Sequence, residues 1–170
     1  MLGKVISKVT DPKTRYLAMT AGGMGALLLG RKATAVGLFT SGMLGLERLW
    51  REERDFQGGW AERWEQSIAF YEETHAHDMN RKLHMAGIPI IMASTVGLLV
   101  SRPPFPLWLA SAGGFVFGWG LNFVGHGFYE KNAPAFQDDP LSFFAGPVWD
   151  LQQVRAMRSS GGAVEAAAAE

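Results

Sequence analysis

Four apolar runs dominate the pattern of hydrophobic and polar positions along this chain. They occupy residues 16–30, 33–50, 85–100 and 107–124. Counted from Pro12, the first run would form a helix of about 28 Å, just enough to cross the hydrocarbon core of a bilayer. Arg31 and Lys32 alone separate the first two runs, and the prolines of residues 101–106 separate the last two, so each pair predicts a helical hairpin. The pattern therefore predicts an all-α integral membrane protein, a four-helix bundle of two hairpins.

Two further segments have the spacing of amphipathic helices. After the break at Gly58 and Gly59, aromatic and aliphatic residues recur at helical intervals from Trp60 to Tyr71. This spacing is typical of a helix in the membrane interface with its tryptophans at headgroup depth. It is equally typical of a helix packed on the rest of the domain. A second amphipathic segment covers residues 141–157. We expect both to accompany the bundle as interfacial helices.

The boundaries of these patterns predict one helical membrane domain over residues 1–158. It comprises an N-terminal hairpin over residues 12–50 and a second region over residues 60–158, and residues 159–170 form a low-complexity tail that we expect to be disordered. A secretory signal peptide is a competing interpretation of the start, because residues 33–35 resemble a cleavage site. The charges of Arg31 and Lys32, and the apolar run that follows at once, argue against it.

Composition narrows the chemistry. The 16 basic and 16 acidic residues cancel, so no overall field would attract nucleic acid, and we expect no nucleic-acid partner. The chain has no cysteine, which leaves His, Asp and Glu as its strong side-chain metal ligands. With four crossings, every lysine and arginine except Arg31, Lys32 and Arg102 falls on one side, which the positive-inside rule assigns to the cytoplasm.

The histidines gather at the cytoplasmic ends of the second hairpin. His84 precedes the middle of the proline-rich turn by about 19 residues and His126 follows it by about 23, so their depths should differ by only about 6 Å. His75 precedes the third helix and would fold back over its end if Asp78 caps that helix. The sequence thus predicts converging imidazoles with nearby carboxylates. Neutral imidazole binds iron, zinc, copper and nickel, and this donor set suits Fe(II) and zinc almost equally.

Four neighbouring polar residues have open roles at this stage. Asn80 shares a helix face with His84 and either orients a ligand or satisfies backbone groups. Arg81 is a topological anchor at a helix start or a partner for a substrate carboxylate. Glu130, four residues beyond His126, and Asp78 are candidate carboxylate ligands, although Glu130 suits a surface ion pair as well. His77 should point away from His75.

Two motifs around the second hairpin resemble the iron-dependent 2-hydroxy fatty acid dioxygenase family, whose fungal members act in phytosphingosine breakdown at the endoplasmic reticulum. The first reads H-x-x-x-x-N-R-x-x-H-x-x-G-x-P from His75 to Pro89, and the second reads F-V-G-H-G-x-x-E-K-N-x-P-A from Phe123 to Ala135. The resemblance covers roughly residues 64–158. It implies Fe(II)-dependent alpha-oxidation of a 2-hydroxy fatty acid by oxygen to an acid one carbon shorter.

The resemblance also implies roles for individual residues. His75, His84 and His126 would bind the iron, with Asp78 or Glu130 as the carboxylate, while Asn80 and Arg81 orient substrate or ligands. Two departures stand out: Asp78 lies where the family usually has proline, and the hairpin at residues 12–50 has no counterpart that the resemblance identifies.

These patterns leave three hypotheses. The first is a multi-pass membrane dioxygenase of the bacterial inner membrane or endoplasmic reticulum, which takes a 2-hydroxy fatty acid and O2 and contacts membrane lipid. The second is a non-enzymatic membrane subunit or scaffold whose helices pack against partner helices or a second copy. The third is a zinc-dependent lipid hydrolase.

Overall fold

In a computed structural model of the protein, which describes residues 11–153 and 155, all regular secondary structure is helical. The helices are α1 (Pro12–Leu28), α2 (Lys32–Glu53), α3 (Trp60–Thr74), α4 (Asp78–Val100), α5 (Pro106–Val124) and α6 (residues 142–153). The expected all-α fold class is confirmed. The predicted disordered tail at residues 159–170 lies outside the described residues.

The first two helices pack side by side through glycines. Asp11 caps α1 by accepting a hydrogen bond from the Thr14 backbone N–H at 2.8 Å, and Pro12 occupies the first turn. A Cβ atom built on Gly23 of α1 would lie 2.7 Å from the backbone nitrogen of Phe39 on α2. The close approach of the two backbones therefore requires glycine at position 23.

Helices α4 and α5 form a second packed pair, joined by the short proline-rich segment at residues 101–105. A Cβ atom built on either Gly87 or Gly118 would lie 2.9 Å from the carbonyl oxygen of the other, so the two backbones meet at this glycine pair. The crossing lies three residues after His84 and eight before His126. It thereby fixes the relative depth of the two histidines.

Two helical stretches in the described part of the chain are long and apolar enough to cross a membrane, Asp78–Val100 and Pro106–Glu130. Helix α1 has 17 residues, about 26 Å, and α2 ends in charged residues. The coarse expectation of membrane-spanning helices thus has support from α4 and α5. The four-helix membrane bundle and its interfacial helices stay predictions.

Helix α3 packs against the rest of the domain through its aromatic stripe. Tyr71 forms a buried cluster with Ala135, Ala145 and Trp149, and Trp64 packs against that cluster. Trp60, at the start of the helix, is exposed. The aromatic spacing in the sequence therefore marks a protein-facing side of α3 over most of its length.

Arg63 lies on the side of α3 that the sequence pattern assigns to solvent, yet its side chain is completely buried. Its Nη2 is 2.9 Å from Glu47 Oε2 on α2 and 2.7 Å from Asp139 Oδ1, just before α6. Its guanidinium also stacks over the Trp50 ring at 3.5 Å. Two carboxylates from distant parts of the chain compensate this buried charge.

We predict that Arg63→Ala destabilises the protein by about 3–5 kcal/mol, because it leaves Asp139 buried without a cation and Glu47 with Arg51 as its remaining ion-pair partner. Thermal unfolding of both proteins in the same detergent, followed by circular dichroism, measures this difference. Lys13→Ala is the control. It removes an exposed ion pair to Asp138 and should cost about 1 kcal/mol or less. Equal losses from the two substitutions would contradict the assigned role of Arg63.

Candidate metal centre

Three buried imidazoles face one another where α3 ends, α4 begins and α5 ends. The ring centroids of His75 and His84 are 4.6 Å apart, those of His75 and His126 are 4.8 Å apart, and those of His84 and His126 are 4.9 Å apart. One nitrogen from each ring lies within 4.8 Å of the other two. The structure thus brings together the three histidines that the sequence and the resemblance single out.

His75 follows the last residue of α3 and is 1% exposed. Its Nδ1 lies 2.7 Å from the Tyr71 carbonyl oxygen, and its ring stacks on the Tyr71 ring at 3.8 Å. A carbonyl oxygen only accepts, so Nδ1 carries the hydrogen and Nε2 keeps a lone pair. No partner for Nε2 is found among the described residues. Burial, reinforced by His84, lowers the pKa of His75 to about 3, which keeps its ring neutral.

The other two rings are held in the same way. His84 Nδ1 lies 3.0 Å from the carbonyl oxygen of Asn80, one turn earlier in α4. His126 Nδ1 lies 2.7 Å from Oδ1 of Asn132, whose amide nitrogen donates to the Thr74 carbonyl at 3.0 Å. That second bond identifies Oδ1 as the acceptor for His126. All three histidines therefore donate from Nδ1, and in the neutral imidazole Nε2 is then the nitrogen with the lone pair.

This donor set fits a transition metal ion. Metal-ligating histidines typically donate their other ring N–H to a carbonyl or carboxylate oxygen, which fixes the tautomer and the ring orientation. All three rings meet that condition, and the buried Nε2 of His75 has no hydrogen-bond partner within the described residues. Three imidazole nitrogens suit Fe(II) and zinc alike.

Glu130 organises the loop beside the site. Helix α5 continues as a π-helix over Gly125–Glu130 and stops at Lys131, which has a left-handed backbone with φ of 58°. The Glu130 carboxylate accepts hydrogen bonds from the backbone N–H groups of Ala76 at 2.9 Å and His77 at 3.0 Å. It also accepts one from the Asn80 amide at 3.2 Å. Glu130 thus holds the loop that follows His75 and is not part of the three-histidine group.

The remaining candidate residues lie outside the three-histidine group. Asp78 is exposed in the first turn of α4, and His77, not Asp78, is the cap: its Nδ1 accepts the Met79 N–H at 3.1 Å. The Arg81 guanidinium stacks over the Trp149 ring at 4.7 Å. His77 is exposed, as its spacing from His75 predicts.

An apolar cavity of about 660 Å³ extends from the three histidines. Along α4 its wall runs from His84 to Leu99, about 22 Å at 1.5 Å per residue. Asn122, one turn before His126, is a polar residue of this wall, and its buried Oδ1 has no partner among the described residues. Asn80, Arg81 and Glu130 do not line this cavity.

Sequence reasoning missed three residues of this site. Asn132 lies in the second motif, two residues after Glu130, and this position was its only signal. Tyr71 looks in the sequence like one more member of an apolar stripe, and its contact with His75 depends on how α3 ends. Asn122 lies inside an apolar run, where a lone amide is itself a signal of a polar function.

Comparison with known proteins gives one match. A family model described as "2-hydroxy-palmitic acid dioxygenase Mpo1-like" matches residues 61–157, more than half of the chain. The matched range contains all three histidines and leaves α1 and α2 outside. No curated protein and no solved structure matches the chain.

Asp150 is a second buried ionisable group near the site. It is 6% exposed, and neither carboxylate oxygen has a hydrogen-bond partner among the described residues. Burial raises the pKa of Asp150 to about 7, opposed by the charge of Arg81. In the folded protein the carboxyl group is therefore protonated up to about pH 7, whereas in the unfolded chain it ionises near pH 4. Its contribution to stability is lost as the pH rises through this window.

We predict that Asp150→Asn becomes more stabilising, relative to the parent protein, as the pH rises from 5 to 8. The asparagine never ionises, so it avoids a cost of up to about 1.4 kcal/mol per pH unit. Thermal unfolding of both proteins at several pH values provides the measurement. Melting temperatures that stay in parallel across this range would contradict the assignment.

Proposed function

Because the chain belongs to the Mpo1-like family of 2-hydroxy-palmitic acid dioxygenases, we propose that it is an Fe(II)-dependent membrane dioxygenase. Its reaction would be the alpha-oxidation of a 2-hydroxy fatty acid to the acid one carbon shorter. The observation that carries this proposal is the group of three buried imidazoles in the wall of a long apolar cavity, with one nitrogen of each ring within 4.8 Å of the other two.

The proposed reaction breaks the bond between the carboxyl carbon and the hydroxyl-bearing carbon. The atoms balance when R–CH(OH)–COOH and O2 give R–COOH, CO2 and H2O. The hydroxyl-bearing carbon is oxidised to a carboxylic acid, the old carboxyl group leaves as CO2, and O2 is reduced. The substrate thus needs a polar site for its head and an apolar one for its chain.

His75, His84 and His126 would hold the iron through Nε2. Ferrous iron would supply the redox chemistry that allows O2 to react, and three protein ligands leave open positions. Asn122 is suited to orient the head of the substrate, since its amide lies in the cavity wall one turn from His126. The apolar wall excludes water from the reacting groups.

The cavity dimensions support a long acyl substrate. An extended 16-carbon chain is about 19 Å long, because each C–C bond of about 1.5 Å advances the zigzag by roughly 1.25 Å. The wall along α4 is about 22 Å long from His84 to Leu99. A cavity of about 660 Å³ also falls within the usual range for ligand pockets.

Asn80 and Glu130 would act as positioning residues. The backbone carbonyl of Asn80 accepts the His84 N–H, and its side-chain amide donates to Glu130. Glu130 in turn holds the loop after His75. The two side chains therefore fix the relative placement of two ligands. Arg81 stacks on Trp149, so we assign it no contact with substrate. Asp78, exposed and outside the three-histidine group, is not needed as a ligand.

The two apolar stretches support a position of this site at a membrane surface. If Asp78–Val100 and Pro106–Glu130 cross the bilayer, the histidines lie at the end flanked by Arg81, Lys82 and Lys131, and Arg102 lies at the other end. The positive-inside rule then places the metal site on the cytoplasmic side. The acyl chain would lie within the membrane-spanning part of the protein.

A zinc enzyme is the second candidate, because three histidines with an open position also make a catalytic zinc site. Such a protein would hydrolyse a lipid and consume no oxygen. A non-enzymatic membrane subunit would retain no stoichiometric metal. Metal content and oxygen uptake together separate the three functions.

We predict that protein purified without oxygen holds stoichiometric iron and consumes O2 when 2-hydroxypalmitate is added. His84→Ala should lose both properties, since it removes one of three ligands. His77→Asn is the matched control, because it replaces an exposed histidine outside the group with a residue that can still cap α4, and it should keep both. Elemental analysis and an oxygen electrode provide the two readouts. Zinc without oxygen uptake would favour the hydrolase, and uptake that survives His84→Ala would favour neither metal enzyme.

We also predict that Asn132→Ala weakens iron binding about 10–100-fold, the usual cost of losing the hydrogen-bond partner of a ligating histidine. Asn132→Asp keeps an acceptor for His126 Nδ1 and should lose much less. Competition with a chelator of known affinity measures both variants. An equal loss in the two would mean that Asn132 acts through its bond to the Thr74 carbonyl, not through His126.

A further inference from the structure

Helices α1 and α2 form part of the cavity wall, although both lie outside the range matched by the family model. Resting on the proposed function, we propose that this helix pair closes the far end of the cavity and limits the length of acyl chain that the enzyme accepts. Their wall residues are Gly23, Met24, Leu27, Ala35, Val36, Phe39 and Thr40.

The connection between α1 and α2 lies at the end of the molecule opposite the histidines. A Cβ atom built on Gly30, in that connection, would lie 2.8 Å from the ring of Pro103, in the loop between α4 and α5. Leu27 and Ala35, on either side of the connection, share a buried cluster with Leu98 near the end of α4. The histidines flank the other ends of α4 and α5, so this part of the wall is distant from the metal site.

The wall at this end is mostly apolar, and the Thr95 hydroxyl there donates to the Ile91 carbonyl of its own helix. Met24, Leu27 and Val36 carry no hydrogen-bonding group suited to a carboxylate, whereas the imidazoles and Asn122 lie at the opposite end. A 2-hydroxy acid whose head lies among the histidines would therefore point its methyl end toward α1 and α2. The position of these helices then decides how many carbons fit.

Contacts with the matched region hold the helix pair in place. The rings of Phe39 on α2 and Phe143 on α6 lie 5.2 Å apart. Farther along α2, Glu47 makes the buried ion pair with Arg63 described above. A wall fixed at both ends can select chain length, which a freely moving one cannot.

The test measures binding of fatty acids that lack the 2-hydroxyl group and so do not react. Hexadecanoic and decanoic acid displace a fluorescent fatty acid from the full-length protein in detergent. We expect Val36→Trp and Met24→Trp to weaken the binding of hexadecanoic acid about tenfold, a typical penalty for extra bulk in an occupied site. Decanoic acid, about 11 Å long, would not reach these positions and should bind as before.

Leu44→Trp is the control, because Leu44 is an exposed residue of α2 outside the cavity wall. It should change neither affinity. The proposal is overturned if both wall variants leave the ratio of the two affinities unchanged, or if hexadecanoic acid does not bind the parent protein. This binding measurement needs neither iron nor turnover. A loss of affinity for hexadecanoic acid alone would therefore support the role of α1 and α2 even if oxygen uptake were absent. Conversely, iron-dependent oxygen uptake together with an unaltered ratio of the two affinities would contradict the role of α1 and α2 and leave the proposed function intact.

Discussion

The site depends on one repeated interaction, a hydrogen bond from histidine Nδ1 to an oxygen that can only accept. Tyr71, Asn80 and Asn132 supply these oxygens, two from the backbone and one from a side chain. Each bond fixes a tautomer and a ring plane at once, so Nε2 is the nitrogen left free. Without them, the three buried rings could rotate or exchange tautomers, and their Nε2 atoms would have no fixed direction.

Convergence also requires backbones that hold their relative depth. The Gly87–Gly118 contact fixes α4 against α5, and the π-helix that carries His126 ends at Glu130, whose carboxylate binds the loop after His75. A π-helix breaks the regular α-helical register, which is why single π turns occur often at functional sites. The three histidines thus belong to one hydrogen-bonded unit built from separate parts of the chain.

Much of this arrangement follows from the sequence by simple geometry. Helical rise and the proline turn place His84 and His126 at similar depth, and the all-α class follows from the apolar runs. The positions that escaped prediction depend on tertiary partners. Arg63 has the spacing of a solvent-facing residue, and only Glu47 and Asp139, distant in sequence, explain its burial. The π turn likewise has no local pattern, so the direction of Glu130 could not be derived.

The same geometry has a cost that a bound ion would offset. The Nε2 of His75 is buried without a partner in the described part of the chain, and an unsatisfied buried acceptor typically costs about 1–3 kcal/mol. Stabilising interactions elsewhere in the fold, including the ion pairs of Arg63, offset this cost. A ligand that binds the folded state alone stabilises it, so an ion at the three nitrogens would recover the cost. A buried acceptor without a partner, beside two other imidazoles, therefore favours a metal-binding role over a purely structural one.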